Sequence, residues 1–219
     1  MSEEAIVEYL ARHIESAYAS DGFVGVVIYG LQGVGKSCLA LRVAHRVVGS
    51  WPKVLNRHLL FTAEEVEARL DEAFEKGFRW KTLIWDDAGV YAGKYLHRTD
   101  LVAARWLAAS IQLIRTHTAS LIVTTTSPAE LFRSLREQPD WLRVRMRPLS
   151  VRPVKRARVT VYRIDVDPIG KPVAAKIVEN ARFTVYLPDD VYRKYKRIRE
   201  AYRALAKELR KQKEKETET

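Results

Sequence analysis

The sequence predicts an α/β fold, a mostly parallel sheet with helices on both faces, followed by a C-terminal β hairpin and helix. Three observations predict it. Continuous apolar runs of strand length recur, as in "FVGVVIYG", "KTLIWDD" and "LIVTTTS", which is how strands buried on both faces read. Stretches with helical spacing separate them, giving a βαβ rhythm. The segment "GLQGVGKS" satisfies G-x-x-x-x-G-K-S in full and joins the first such strand to a helix.

The elements follow in order. "EEAIVEYLARHIESAYA" sets Ile6, Leu10, Ile14 and Ala17 on one stripe, so a leading amphipathic helix is expected, stopped by "SDG". After the first strand, "KSCLALRVAHRVVG" repeats Leu39, Val43 and Val47 at helical spacing and closes on Gly49. "VLNRHLLF" reads as a strand, and "TAEEVEARLDEAFEKG" as a helix capped by Thr62 with Glu65 three residues on. "TDLVAARWLAASIQLIRTHT" is a second long helix, and Ser127-Pro128 opens another over "AELFRSLRE". Beyond residue 140 the texture changes. "WLRVRMRPLSVRPVKRARVTVYRIDV" alternates apolar and basic residues, and "DPIGKP" turns the chain into "VAAKIVENARFTVYL", an antiparallel β extension. Val191, Tyr195, Ile198, Tyr202, Leu205 and Leu209 then mark a final helix that ends in a charged segment expected to be disordered. The organisation expected is a core with its leading helix over 1–140, a basic β extension over 141–188 and a helix over 189–219.

Composition narrows the functional classes. The longest apolar runs fall far short of the roughly 20 residues that span a bilayer, and the acidic start "MSEEAIVEYLARH" builds no signal-peptide core. A cytoplasmic protein with no membrane partner is expected. The single cysteine, Cys38, cannot form an internal disulfide and suits a small buried position. Thirty-eight Lys and Arg against 27 Asp and Glu leave a net charge of +11. That balance has two readings: a polyanionic partner, nucleic acid first, or the charged surface of a thermophile's protein, in keeping with the scarcity of Asn, Cys and Met.

The chemistry starts at the glycine-rich segment. Glycines let backbone N–H groups converge on phosphate oxygens, and the following helix adds the positive end of its dipole. Gly30, Leu31, Gln32, Gly33, Val34, Gly35, Lys36, Ser37 and Cys38 would form this cradle, with Lys36 reaching the β and γ phosphates and the Ser37 hydroxyl on Mg2+. A metal-bound triphosphate also needs a carboxylate at the end of a nearby strand, and Asp86 in "TLIWDD" supplies it. Asp87 is either the base for the attacking water or a turn former; Glu64 or Glu65 could substitute as base, or serve only to cap their helix. Thr125 and Thr126 could touch the γ phosphate or the water, or simply suit a strand. Arg133 or Arg136, with Arg98 and Arg115 as further choices, could complete a neighbouring subunit's site.

Positive charge concentrates between residues 133 and 163, where ten Lys and Arg face only Glu137 and Asp140. Arg143, Arg145 and Arg147 fall on one face of a strand, and with Arg152, Lys155, Arg156 and Arg158 they form a candidate DNA-contacting stripe of low base specificity. Charge that protects an edge strand is the competing reading.

"GLQGVGKS", "TLIWDD" and "LIVTTTS", in that order, resemble the Walker A, Walker B and sensor 1 segments of P-loop ATPases of the AAA+ and RecA-like division, over roughly residues 20–140. The resemblance implies a P-loop NTPase fold, ATP and Mg2+ as cofactors, hydrolysis, often a homo-oligomeric ring, and work on DNA or protein. Two departures stand out: the Walker B glutamate is absent, and the C-terminal part lacks a helical lid. In those respects the chain is similar to small, lidless ATPases of archaeal plasmids and viruses.

Overall fold

A computed structural model describes residues 4–88, 114–131, 135, 138, 141–166 and 172–217. It divides into two compact units, Met1–Tyr186 and Leu187–Thr219. The first opens with helix α1 (Ala5–Ala19), whose buried residues are Ile6, Val7, Leu10, Ala11 and Ile14. Strand β1 (Val24–Gly30) leads through the glycine-rich loop into α2 (Lys36–Val48), which closes on Gly49 in a left-handed conformation.

The strand expected over "VLNRHLLF" is mostly helical. Ser50 accepts a hydrogen bond from the Lys53 N–H and Pro52 sits in the first turn, so the chain winds through Trp51–Lys53 and a wider turn, Val54–His58. Only β2 (Leu59–Leu60) is extended. Helix α3 (Ala63–Lys76) carries the expected capping box of Thr62 and Glu65. Strands β3 (Leu83–Trp85) and β4 (Ser120–Thr125) follow, and Ser127 caps a short helical turn, Pro128–Glu130. Of the long helix expected over "TDLVAARWLAASIQLIRTHT", only its end is among the described residues, and most of "AELFRSLRE" also lies outside them.

Three further strands, β5 (Leu142–Ser150), β6 (Arg156–Val166) and β7 (Pro172–Thr184), complete a seven-stranded sheet in the order β2-β3-β4-β1-β5-β6-β7. The first five strands of that order are mutually parallel, and β6 and β7 are antiparallel additions. The boundary expected at residue 141 is therefore corrected: β5 pairs along β1, with Val27 opposite Arg143 and Tyr29 opposite Arg145. Burial explains why. Trp141, Leu142, Val144 and Met146 are all core residues, and a side chain at Gly25 would collide with the Trp141 ring, whose Cδ2 lies 2.0 Å from the Cβ position.

Alternation along the strands defines two faces. One carries Ile28, Ile122, Val144, Val159 and Phe183 and is packed by α1 and α2. The other carries Val27, Leu121, Val123, Leu83 and Trp85 under α3, Ile114, Leu131 and Leu135. The second unit is helix α4 (Asp189–Thr217), with Val191 and Tyr195 buried as their spacing predicts. Its charged end, expected to be disordered, is helical through Thr217; Glu, Lys, Arg and Gln are good helix formers.

Outside the sheet, α3 is tied to the turn before β2 by Glu72, which accepts hydrogen bonds from Arg57 (2.6 Å), Lys76 (2.9 Å) and Arg69 (3.0 Å). The Lys76 hydrogen bond, against the opposing effect of burial and with help from Arg69 and Arg57, holds its carboxyl down to about 2 from an ordinary 4.5. A depressed carboxylate stabilises the fold above its unfolded pKa and loses that contribution as pH falls through the folded one. Urea unfolding of the wild type and Glu72→Gln should therefore differ near neutrality and converge as pH drops from about 4.5 to about 2. A gap that stays constant over that range would contradict this role for Glu72.

Candidate phosphate-binding site

Parallel pairing brings the C-terminal ends of β1, β3, β4 and β5 to one edge of the sheet. The glycine-rich loop occupies this edge, leaving β1 at Gly30 and entering α2 at Lys36. Gly35 has φ +106, and a Cβ there would come within 2.6 Å of Val185 Cγ2, so both conformation and space exclude a side chain. At Gly33 the space is different. Among the described residues, leaving aside its chain neighbours, the one atom within 4 Å of an added Cβ is Lys155 Nζ, at 3.9 Å. Lys36 is buried and turns back over the loop, donating from Nζ to the carbonyls of Gly30 (2.9 Å) and Leu31 (3.1 Å). The half-buried Ser37 and buried Cys38 start the helix. Cys38 donates to the Tyr186 carbonyl (3.3 Å), and burial pushes its thiol up to about 11, so it stays neutral in the cell's pH range.

Register fixes where the acidic side stands. Trp85 is level with Val123 and Val123 with Val27, so Asp86 arrives one residue later on the edge where Thr124 pairs with Ile28. Two strand spacings, about 10 Å, separate β3 from β1. Asp86 has no solvent exposure, and the Thr124 hydroxyl donates to its Oδ1 at 2.6 Å. The same Thr124 oxygen accepts the Asp87 N–H at 2.9 Å, where Asp87 adopts a left-handed turn with φ +52. Thr124 thus fixes both the side chain of Asp86 and the backbone that follows it.

The structure separates the other candidates. Thr125 and Thr126 both donate to the Glu130 carboxylate, Thr125 at 2.9 Å, which makes them parts of the turn after β4. Burial raises the pKa of Glu130, but the hydroxyls of Thr126 and Thr125 and nearby backbone N–H groups prevail and keep it below the usual carboxylate range. Glu65 accepts from the N–H groups of Phe61 (2.7 Å) and Thr62 (3.3 Å), consistent with its capping reading, while Glu64 is exposed. Arg115 is exposed, and Arg98, Arg133 and Arg136 lie outside the described residues. Sequence reasoning missed Thr124, although period-two alternation puts it, unlike Thr125, on the face of Asp86.

The candidate nucleic-acid stripe also divides. Arg143 is a correction: it is buried, and its guanidinium donates to the Leu135 (3.4 Å) and Gln138 (3.3 Å) carbonyls, so it braces the chain before β5 and cannot lie on an outer surface. Arg147, Arg156 and Arg158 are exposed on the ladder and Arg145 is half-buried, whereas Arg152 and Lys155 sit in the β5–β6 turn. Register adds two cations that the sequence pattern does not single out. Arg182 pairs with Arg158 and Lys176 with Tyr162, on the face shared by Arg145, Arg147 and Tyr29. No sequence signal gives that pairing, because two irregularities shift the β6–β7 register.

The residues at the edge fit a magnesium nucleotide. The loop offers glycine backbone and the Lys36 ammonium, and Ser37 and Asp86 supply one hydroxyl and one carboxylate, the hard oxygen ligands that Mg2+ takes. Strand, G-x-x-x-x-G-K-S loop and helix within a mostly parallel sheet make this a P-loop NTPase fold.

No protein-family model matches the chain. It is 28% identical over 210 residues to "Uncharacterized protein B-251" of Sulfolobus spindle-shape virus 1, covering 89% of this chain and 80% of that protein. It is 23% identical over 221 residues to "Uncharacterized protein ORF286" of Acidianus two-tailed virus, covering 91% and 77%. Among solved structures, RuvB of Thermotoga maritima matches 62% of this chain, which spans 42% of RuvB, with TM-score 0.38 and 15% identity. Domain III of the replication initiation protein DnaA from Thermotoga maritima matches with TM-score 0.42 and 18% identity, over 68% of this chain and 65% of that one. FlaH of Methanocaldococcus jannaschii matches with TM-score 0.39 and 13% identity, over 81% and 97%.

Replacing Thr124 by Val removes one charge-assisted donor and strands a turn N–H, while Ser keeps both. Denaturant unfolding should show Thr124→Val destabilised by about 1–3 kcal/mol and Thr124→Ser near the wild type. Equal stability of the two variants would contradict the bridging role.

Proposed function

We propose that this chain is a magnesium-dependent ATPase that acts on DNA, of the AAA+/RecA-like division and related to small lidless ATPases of viruses and plasmids. One observation carries the nucleotide part: the complete G-x-x-x-x-G-K-S loop between β1 and α2 shares a sheet edge with a buried Asp86 held by Thr124. Backbone N–H groups of residues 31–36 and the α2 dipole would receive the phosphate tail, and Lys36 would exchange its carbonyl acceptors for β and γ oxygens. Ser37 and Asp86 would hold Mg2+, which supplies charge neutralisation at the transferred phosphate when bound. Thr124 keeps Asp86 aimed at that position.

Asp87 is the nearest candidate to orient water, and its carboxylate is one methylene shorter than glutamate. With Glu65 engaged as a cap, this favours slow turnover, the behaviour of a nucleotide-switched binding module more than of a fast motor. A ring of copies, with an arginine supplied in trans, belongs to the same reading.

The DNA part rests on the outer face of β5, β6 and β7, where Arg145, Arg147, Arg158, Lys176 and Arg182 line up across three strands beside Tyr29 and Tyr162. Rows about 4.8 Å apart and positions about 7 Å apart along each strand give a cationic grid that follows a phosphate backbone without reading bases. Carboxylates on this part of the sheet are sparse; Glu179 pairs with Lys176 at 2.7 Å.

Two measurements test the reading. Lys36→Ala should reduce binding of a magnesium-chelated ATP analogue by at least about a hundredfold, and Asp86→Asn should abolish the slow hydrolysis measured with and without DNA. Retained affinity in the lysine variant rejects the nucleotide site. Separately, Arg145→Glu combined with Arg158→Glu should weaken DNA binding more than tenfold at low salt and lower the salt slope by about 2, roughly one unit for each arginine removed from the phosphate backbone. Unchanged DNA affinity would remove nucleic acid from this face.

A further inference from the structure

Lys155 belongs to the basic stretch by sequence but not by position. β5 ends at Ser150 and β6 begins at Arg156, so Lys155 stands in the turn and takes no place in the ladder that forms the cationic grid. Its ammonium is beside the glycine-rich loop, where, among the described residues and apart from the chain neighbours, it is the one atom that a Cβ at Gly33 would meet within 4 Å. Among the described residues no carboxylate pairs with it. The turn is anchored to the loop twice. The Lys155 carbonyl accepts the Val185 N–H at 2.9 Å, and the Val185 side chain packs where Gly35 leaves room for it. One residue later the Tyr186 carbonyl accepts a hydrogen bond from the Cys38 thiol at the start of α2. Lys155 and Arg42 are also the two cations whose charge reaches that thiol. The turn and the loop are thus held together through backbone, and the ammonium stands 3.9 Å from where a Gly33 side chain would begin.

We propose that Lys155 is a second cation of the nucleotide site, delivered by the β5–β6 turn, and that it binds the phosphate tail of a nucleoside triphosphate together with Lys36. This rests on the reading of the loop as a nucleotide site. The loop alone presents one ammonium and a helix dipole to a polyphosphate carrying several negative charges. A compact point charge on a flexible stem is suited to adding to this from outside the cradle. A basic residue in the turn therefore serves the nucleotide, while its neighbours on the strands serve the grid.

Titration of the full chain with a fluorescent ATP analogue in Mg2+, and with an unlabelled oligonucleotide in nucleotide-free buffer, tests this. Lys155→Ala and the longer Lys155→Gln should both weaken the analogue about tenfold or more, Lys155→Arg less than about threefold, and none should change oligonucleotide binding by more than about twofold. Far-UV circular dichroism and melting confirm that each variant folds, and the exposure of Lys155 makes this the expected result. Nucleotide affinity within twofold of the wild type in both variants, with Lys36→Ala still defective, overturns the role of Lys155 and leaves the loop's role standing. Loss of oligonucleotide binding with nucleotide binding intact assigns Lys155 to the grid and overturns it equally. A wild-type chain that binds no analogue rejects the nucleotide reading itself, and this role with it.

Discussion

Parallel pairing of β1 with both β4 and β5 is the constraint from which the rest of the first unit follows. Parallel strands have their carboxyl ends at one edge, so the glycine-rich loop, Asp86 and the β5–β6 turn arrive there through topology and need no long excursions of chain. Pairing on both sides also requires β1 to be buried on both faces, and Val26, Val27 and Ile28 meet that demand. Asp86 then stands at a place with no access to water, where a carboxylate is tolerated only when hydrogen bonds compensate for lost hydration. The hydroxyl of Thr124, on the strand between β3 and β1, is aligned by the same register that creates the need.

The two faces of the sheet have different fates. Helices α1 and α2 cover one face as far as Phe183 on β7, over which the Arg42 guanidinium lies 5.3 Å from the ring centroid. On the other face the apolar cover ends at β1, and beyond it the side chains turn polar: Tyr29, then Arg145, Thr160 and Tyr162. Half-buried Tyr29 marks the transition, its phenol raised by burial although Arg145 lies close enough to oppose the shift. One sheet therefore contains a buried parallel region and a one-sided antiparallel region, the two regimes expected for those pairings.

What was legible in the sequence were features that local chemistry dictates. The loop motif, the Thr62–Glu65 and Ser127 caps, the Gly49 stop and the long apolar strands depend on neighbours a few residues away, and each lies where its pattern puts it. Features that depend on distant partners were not legible. The change from apolar to basic-alternating texture at residue 141 resembles a domain boundary, yet β5 pairs along β1 and passes from fully buried at residues 142–144 to exposed at residues 147–149. Arg143 carries the same residue type and spacing as Arg145 and Arg147, and only the chain crossing near Leu135 and Gln138 buries it. Thr124, Thr125 and Thr126 are equivalent as letters; strand parity and the position of Glu130 distinguish them.

The cationic grid invites a simpler account, that charge protects a sheet edge from pairing with another chain. That account suffices for β7, the outermost strand, which begins at Pro172, carries Lys176 and Arg182, and has an irregular register around Asn180. It fails for β5. Arg145 stands between β1 and β6, level with Tyr29 and Thr160, with no free backbone to protect, and an interior position with one wet face is as well served by threonine, which β6 uses at Thr160. One residue beyond the end of the β1 pairing, Arg147 stands opposite a cation on β6, and like charges directly opposite destabilise a ladder. Arg147 faces Arg158, and Arg158 faces Arg182, so the repulsion runs across three strands in one row. That repulsion is what the proposed extended polyanion would relieve, and it would have to lie across three strands to reach the whole row.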